Sequence, residues 1–521
     1  MESKKEVTIL GGGLAGLAAA VVLSDQGLQV TVVERKPFLG GRASSYPVPD
    51  SHRLSFPDSA GASDVLPANP SNEEQTPPAP AKLTFIDNCQ HVLLRCCTNL
   101  LDFYQRLGVD AGIRFFDRYV FLSEQGRVAY LKSSRLPAPF HLLPSFAGFD
   151  PLNWKDKLAV AYALFCMLRA QHRLEELDRM TMLTWLRRHR QTARAIENFW
   201  RTVLVGALNE DIEVASARYG LKVFLDGLLR HHQAFHMGIP VVPLKKLYTE
   251  PCMNFLTARS GKAKLRTSAT RIQVEGSKVV GVLLSDGNRL VTDYYVSGLP
   301  PDQLLRLLPE KLLACSEYFR NLRRFQPSPI TSICLWFDRQ VTDLDFAALL
   351  GHQIQWIFRK GLIPGDASQQ NGEYLALVVS ASRKLLTLGR KEIIDLALND
   401  LHSVLPSSRK AQLLHGVVIK EPYATFSCQA GCDDYRLDQQ SPLENLFVAG
   451  DWTRTGWPPT MEGAVRSSYR CAELILRAEG RAIELLQPDL PATGFAGWLW
   501  HVTKFLPFRA TSNNDPSALS R

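Results

Sequence analysis

Val7 to Leu10 is a short β-branched apolar run that breaks into Gly11-Gly12-Gly13-Leu14-Ala15-Gly16. The run predicts a buried parallel strand. Leu17 to Gln26 is rich in Ala, Val and Leu and predicts a helix ended by Gly27. Gln29 to Val33 predicts a second strand with Glu34 at its end. Thr98 to Leu107 and Trp154 to Leu177 carry apolar residues at helical spacing, and an apolar, proline-rich loop from Leu136 to Pro144 separates them. The stretch 92–240 reads as mainly helical. Residues 301–440 mix strands at Thr331–Phe337 and Glu373–Ser380 with a helix at Lys391–Leu401. Near the far end, Leu446 to Val448 predicts a strand that runs into Gly450-Asp451, with a helix beginning within Pro459–Val465. No internal repeat is present.

The first strand, turn and helix have the chemistry of a dinucleotide site. Gly11 permits the tight turn, Gly13 lets the backbone approach a pyrophosphate, and Gly16 lets helix and strand pack closely. Leu14 and Ala15 belong to the cofactor-binding turn, and the N-terminus of the helix that follows offers free N–H groups and a positive dipole end to phosphates. Glu34 stands 23 residues after Gly11, where a carboxylate grips a ribose hydroxyl. Arg35 follows, and Gly40-Gly41-Arg42 adds a second close backbone approach with a cation beside it. Gly450-Asp451 places a carboxylate at a strand end. The helix start at Met461, Glu462 and Ala464 can stabilise negative charge at a flavin's N1/O2 edge. Together these segments favour FAD over NAD.

Composition narrows the class. The 521 residues suit two or three domains, and 45% hydrophobic with 21% charged residues is globular. The net charge of +9 comes from Lys and Arg scattered along the chain without a basic tail or a recognition motif. That excludes a nucleic-acid partner and is compatible with anionic headgroups. The ten cysteines form no CxxC and read as reduced thiols of a cytoplasmic protein. No signal peptide and no apolar run long enough to span a bilayer is visible.

On these motifs, and on the stretch from Leu265 to Pro300 with its hairpin through Asp286-Gly287, the chain resembles the FAD-dependent amine oxidase and carotenoid desaturase superfamily. The resemblance implies an α/β fold, a Rossmann-like FAD-binding domain with an interleaved α+β substrate domain, and places Ala269 against the adenine. It assigns 1–46, 241–300 and 441–485 to FAD binding, and 83–240 and 301–440 to the substrate domain. The segment 47–82, with eight prolines, reads as a disordered surface insertion, with a lid as the alternative. The segment 486–521 reads as a C-terminal tail. Its run Gly494 to Phe508 carries Trp beside Lys and His, which suits either a membrane-interface segment or a docked helix.

Three further pieces, Phe85 to His91, Asn198-Phe199-Trp200-Arg201 with Ala207-Leu208-Asn209, and Ala449 to Ser467, are similar to the squalene-associated branch, the hydroxysqualene dehydroxylases. Cys89 replaces that branch's usual glycine. The resemblance implies reduction of hydroxysqualene, a C30 isoprenoid lipid, to squalene by hydride from reduced, non-covalently held flavin. An unidentified electron donor reduces the flavin. Asp87, Gln90 and His91 are then the candidates on the leaving-group side; a helix cap at Asp87 and a packed His91 account for the same residues. Arg454 and Glu462 fall near the flavin, or pair with each other. Desaturation of a carotenoid-like chain by the same fold is the main alternative, with an amine oxidase and a non-catalytic FAD-stabilised scaffold behind it. His231, His232 and His236 lack the acidic partner of a metal site, and no metal is expected. Trp185, Trp200 and Trp356 read as core or tunnel wall.

Overall fold

Five short parallel strands form the nucleotide-binding layer: β1 (Glu6–Leu10), β2 (Gln29–Val33), β3 (Lys262–Lys264), β4 (Tyr294–Ser297) and β5 (Leu446–Val448), in the order β3-β2-β1-β4-β5. They come from three distant stretches of chain. The computed structural model describes residues 4–48, 84–360 and 372–503. Beyond its first two residues, the proline-rich insertion expected at 47–82 lies outside the described residues, as does the chain after Thr503.

Helix α1 (Leu14–Asp25) follows β1, and eleven of its twelve residues are buried. A helix apolar on every side has to be covered on every side. The sheet covers one side, and Gly16 makes the contact close: a Cβ there would stand 1.9 Å from the Gly11 carbonyl oxygen. The helical part of the chain holds α2 (Thr98–Leu107) and α3 (Trp154–Ala170). Helix α4 (Met461–Ala478) covers α1, with Ser468 Oγ donating to the Ala15 carbonyl at 2.6 Å, and α5 (Gly494–Thr503) lies beside α3.

Several elements match their sequence patterns to the residue, α2 and the strand Glu373–Ser380 among them. The helix expected over Trp154–Leu177 is two pieces. Asn153 and Asp156 form a reciprocal capping box at the start of α3. The helix stops at Ala170, where His172 turns to donate to the Trp500 carbonyl of α5 at 2.9 Å, and a separate 3₁₀ turn covers Leu174–Leu177.

A seven-stranded sheet forms the second layer, in the order Leu413–Phe426, Pro327–Phe337, Glu373–Ser380, Trp356–Arg359, Phe346–Leu349, Arg118–Leu122, Val128–Lys132. Every residue of Glu373–Ser380 is buried, so both faces are covered. With a period of two, Leu375, Leu377 and Val379 pack with Ile393, Ala397 and Leu401 of the helix Arg390–Val404. Val378 and Ser380 point the other way, into the main cavity. A Rossmann-like FAD-binding layer with a mixed α+β substrate layer is therefore the architecture. No helix among the described residues is long and apolar enough to cross a membrane.

Candidate active site

The two glycine motifs meet. Gly11 has φ +96°, Gly40 +113° and Gly41 +61°, all in the left-handed region. Gly13 bridges Gly40, and a Cβ on Gly41 would come within 2.7 Å of the Gly13 Cα. Gly13 caps α1 without a side chain, and the first turn of α1 contains no acid. Its leading N–H groups, beside Leu14 and Ala15, therefore face open space that any larger residue in the cradle would fill. Phosphate oxygens suit that space.

Glu34 is held in place from both sides. One carboxylate oxygen accepts the Gly12 N–H at 2.7 Å and the other the Lys36 N–H at 2.7 Å. Its backbone binds Thr267 and Lys264, which brings Thr267, Ser268 and Ala269 to the same end of the cavity. Arg35 is exposed at that rim. A ribose and an adenine fit between the acid and this backbone edge, so the residues present match a bound dinucleotide. Gly16 does not line the cavity; its work is the helix contact already described.

At the opposite end of the pyrophosphate cradle, Arg42 is tied to Asp451 at 3.2 Å and donates to the Ala424 carbonyl at 2.9 Å. Gly450 has φ +153°, and a Cβ there would sit 2.4 Å from Trp452 Nε1. Helix α4 starts at Met461 with Thr460 as its cap, Oγ1 accepting the Gly463 N–H at 3.2 Å. Met461, Ala464 and Asp451 all line the cavity, and Tyr248 donates to the Met461 sulfur at 3.4 Å.

Glu462 departs from the sequence expectation. It lines the cavity, but its carboxylate accepts the N–H groups of Asn99 and Leu100, at 3.3 and 2.8 Å, at the start of α2. Arg466 lies 3.3 Å away, and burial pushes the carboxyl pKa upward. The acid caps a neighbouring helix. Arg454 does not pair with it; it lies 3.9 Å from Asp438 and donates to the Asp433 carbonyl.

The three leaving-group candidates separate. Asp87 is buried outside the cavity lining. It accepts from Ser45 Oγ at 2.7 Å and the Leu244 N–H at 3.1 Å, and faces Lys360 Nζ at 3.3 Å. Held by these three contacts and set outside the cavity lining, Asp87 is a structural anchor, though it caps no helix of its own. Gln90 and His91 do line the cavity. Gln90 Oε1 accepts from Lys360 at 2.7 Å, and Nε2 donates to the His91 carbonyl. His91 lies 3.3 Å from Asn88 Oδ1. Burial lowers its pKa to about 4, against the pull of Asp87, so the ring is neutral at pH 7. Lys360, which organises this group, belongs to no recognisable motif.

From here the cavity continues into an apolar tunnel, and the whole space is about 960 Å³. Phe121, Leu131, Phe235, Trp356 and Phe358 form much of its wall. Trp356 is the tunnel wall its composition suggested, while Trp185 and Trp200 are core. Gly206 faces Trp356 so closely that a Cβ would stand 2.9 Å from the indole nitrogen. The residues 198–209 motif runs through a π-helical turn, Ile196–Arg201, into this wall, with Ala207 and Asn209 exposed to the cavity. Lys222, poised 4.8 Å over the Trp457 ring and paired with Asp226, was missed from the sequence; an i,i+4 pair reads as surface decoration there. His231, His232 and His236 stand in a turn and share no helix face; the His232 and His236 ring centres are 6.5 Å apart. All ten cysteines are free, and Cys315 is exposed.

The chain matches the family model of flavin containing amine oxidoreductases over residues 14–476. It is 24% identical to the 15-cis-phytoene desaturase of Synechococcus elongatus over 496 residues, 90% of this chain and 95% of the relative. It is 26% identical to a probable zeta-carotene desaturase of the same organism, over 91% of this chain and 99% of the relative. Among solved structures, wild-type putrescine oxidase bound to putrescine superposes with a TM-score of 0.65 at 15% identity, covering 91% of this chain and 99% of that one. An oxidoreductase from Methanosarcina mazei superposes at 0.64 with 17% identity, covering 90% and 100%. At these identities the structural likenesses establish the fold alone.

Proposed function

The chain belongs to the flavin containing amine oxidoreductase family, and on that premise we propose that it is an FAD-dependent oxidoreductase of the carotenoid-desaturase type that acts on a long isoprenoid hydrocarbon. The observation that carries the reading is one continuous cavity, running from Glu34 and the glycine cradle past Met461 into an apolar tunnel walled by Phe121, Phe235 and Trp356. A cofactor seated in the first half faces a chain seated in the second.

FAD, when bound, supplies a two-electron acceptor or donor. The protein's own residues do the rest. The start of α1 and the Gly40-Gly41 turn would hold the phosphates, Glu34 the ribose, and the start of α4 the polar edge of the ring. The aromatic wall excludes water and holds an extended chain along the tunnel. Asn209 and the Lys222–Asp226 pair are polar groups within reach of the chain.

The finer reading, reduction of hydroxysqualene with loss of its hydroxyl, needs a proton donor for the departing oxygen. Asp87 is tied to Lys360 outside the cavity lining and His91 is neutral, so neither is a ready acid; Lys222 and Glu421, whose carboxyl pKa burial pushes upward, are the cavity-lining proton donors that remain. Removal of two hydrogens from a hydrocarbon passes a hydride to the flavin and a proton to a base, for which the neutral His91 ring on the cavity wall is available, and the curated relatives are desaturases. Desaturation is therefore preferred.

Product analysis tests the choice. The oxidised protein with a dye acceptor is incubated with phytoene, zeta-carotene and squalene, and the dithionite-reduced protein with hydroxysqualene. A product two hydrogens lighter in the oxidised arm supports the proposal. Squalene in the reduced arm, with no change in the others, replaces it with dehydroxylation.

A further inference from the structure

Six carboxylates line the main cavity, and five of them are engaged elsewhere. Glu34 accepts two backbone N–H groups, Glu462 caps α2, and Asp451 is paired with Arg42. Asp226 lies between Lys222 and Arg230, and Asp302 stands 3.7 Å from Arg306. Glu421 is the sixth. It is half-buried, and its carboxylate has neither a hydrogen bond nor an ion pair among the described residues. A carboxylate withdrawn from water without a partner costs stability and marks a candidate for chemistry.

The seven-stranded sheet aims this side chain. Glu421 stands opposite Ile330, and Ile330 stands opposite Ser380 on its other side. Directly opposed residues project from the same face, and all three line the cavity. The preceding Lys420 points the other way, its Nζ donating to the Leu388 carbonyl at 2.6 Å. Just after Glu421 the register breaks. Ser328 opposes Thr425, so residues 422–424 stand against Pro329 alone. Arg42 pins this bulge, donating to the Tyr423 and Ala424 carbonyls at 3.3 and 2.9 Å while it holds Asp451. Glu421 is thereby fixed beside the Arg42–Asp451 end of the cofactor half, on the sheet face that carries Trp356 and Phe358 of the tunnel wall.

The groups around it bear on its use. His91 is the other proton acceptor on the cavity wall, but burial and Lys360 hold its pKa down to about 4, so its ring takes a proton reluctantly. Glu421 is shifted the other way: burial pushes its carboxyl pKa up, against the pull of Lys36 and Arg42. Cys89, beside Gln90 and His91, is near enough for its thiol to feel the Glu421 charge. A carboxylate that binds a proton more firmly than usual is a better base at moderate pH. Lys222, an ammonium tied to Asp226, has no lone pair to accept with.

We propose that Glu421 is the catalytic base of the desaturation. With the chain in the tunnel, one C–H bond gives its hydride to the bound flavin, and the C–H bond on the neighbouring carbon gives its proton to the Glu421 carboxylate. The electron pair of that second bond becomes the new double bond. Two electrons leave the chain with the hydride and reduce the flavin, and the carboxyl releases its proton to solvent afterwards. The assignment rests on the isoprenoid reading above.

Anaerobic single turnover of the full-length, FAD-loaded protein with phytoene in detergent micelles tests it, on the wild type, Glu421→Gln and Glu421→Asp across a range of pH. Glu421→Gln keeps its flavin content, visible spectrum and thermal midpoint, and its flavin bleaches at least about a hundredfold more slowly. Glu421→Asp recovers part of the lost rate. The wild-type and Asp rates fall as the pH drops and the carboxylate takes up a proton, and the residual Gln rate lacks this acid limb. A Gln variant within about threefold of the wild type overturns the proposal, and loss of the rate in His91→Gln would then move the base to His91. If the Gln variant loses flavin or melts early, the Asp variant decides: normal flavin content with a slower rate and a displaced acid limb supports the base, and the wild-type rate with the limb unmoved overturns it. Bleaching that survives Glu421→Gln removes the base alone, whereas a wild-type flavin that no isoprenoid bleaches removes the substrate reading and the base with it.

Discussion

Gly41 sits so close to Gly13 that a Cβ on it would lie 2.7 Å from the Gly13 Cα. Two glycine motifs almost thirty residues apart thus build one wall of the dinucleotide cradle. Gly41 also has φ +61°, a conformation that costs an L side chain about 1 kcal/mol before any clash. Gly41→Ala is expected to yield protein depleted in FAD. The flavin-to-protein absorbance ratio of the purified variant checks this, and a ratio equal to wild type would show that the cradle tolerates the methyl group.

Asp87 and Lys360 are both buried and 3.3 Å apart. Removing one charge strands the other. Asp87→Asn is expected to cost about 3 kcal/mol of stability, and Lys360→Met in the same chain to restore most of it. Urea unfolding of the two single variants and the double variant measures the coupling. Additive losses would mean that the pair does not act as a unit.

Much of this was legible in the sequence. A short apolar strand, a glycine turn and an all-apolar helix have few other uses, and α2 and the strand Glu373–Ser380 follow from periodicity alone. What stayed hidden depends on contacts between distant parts of the chain. Lys360 reads as an ordinary surface cation until the fold places it beside Asp87 and Gln90. Glu462 stands at the expected helix start, but its side-chain direction is set by α2, more than 350 residues earlier in the chain. Gly206 reads as a weak spot in a helix, and only the position of Trp356 explains it.

His91 and His141 are both held neutral, their pKa values lowered from 6.5 to about 4. Burial is the main cause for each; for His141 the neighbouring His232 and His236 add to it. The unfolded chain takes up these protons near pH 6.5 and the folded chain only near 4. Stability is therefore full above pH 6.5 and falls as the pH drops toward 4, by about 3 kcal/mol for each ring. His141→Phe is expected to flatten that slope by roughly half, measured as unfolding free energy between pH 4 and 7. An unchanged slope would mean that the acid sensitivity lies elsewhere.

Gly206→Val has no free space before the Trp356 indole, where a Cβ already reaches 2.9 Å, and forces that ring to shift in the tunnel wall. The tunnel narrows while the cofactor half is untouched. A fall in kcat/KM of about tenfold or more is expected for long chains, with normal flavin content. Equal loss of flavin and activity would indicate a folding defect.

Glu462→Gln removes a charged cap from α2 and half of the Arg466 pairing, Asp489 remaining 2.6 Å from Arg466. A loss of about 1–2 kcal/mol in stability is expected, with FAD content and the flavin spectrum retained. A spectral shift without loss of stability would return Glu462 to the cofactor.

The most direct measurement is a single anaerobic turnover. Oxidised holoenzyme is mixed with phytoene in detergent micelles, the visible flavin band is followed, and the lipid is extracted. The flavin bleaches, and a polyene two hydrogens lighter appears in amounts matching the flavin reduced. A flavin that stays oxidised with every long isoprenoid and bleaches with a small amine would contradict the account and place the chain among the amine oxidases in activity as well as in fold.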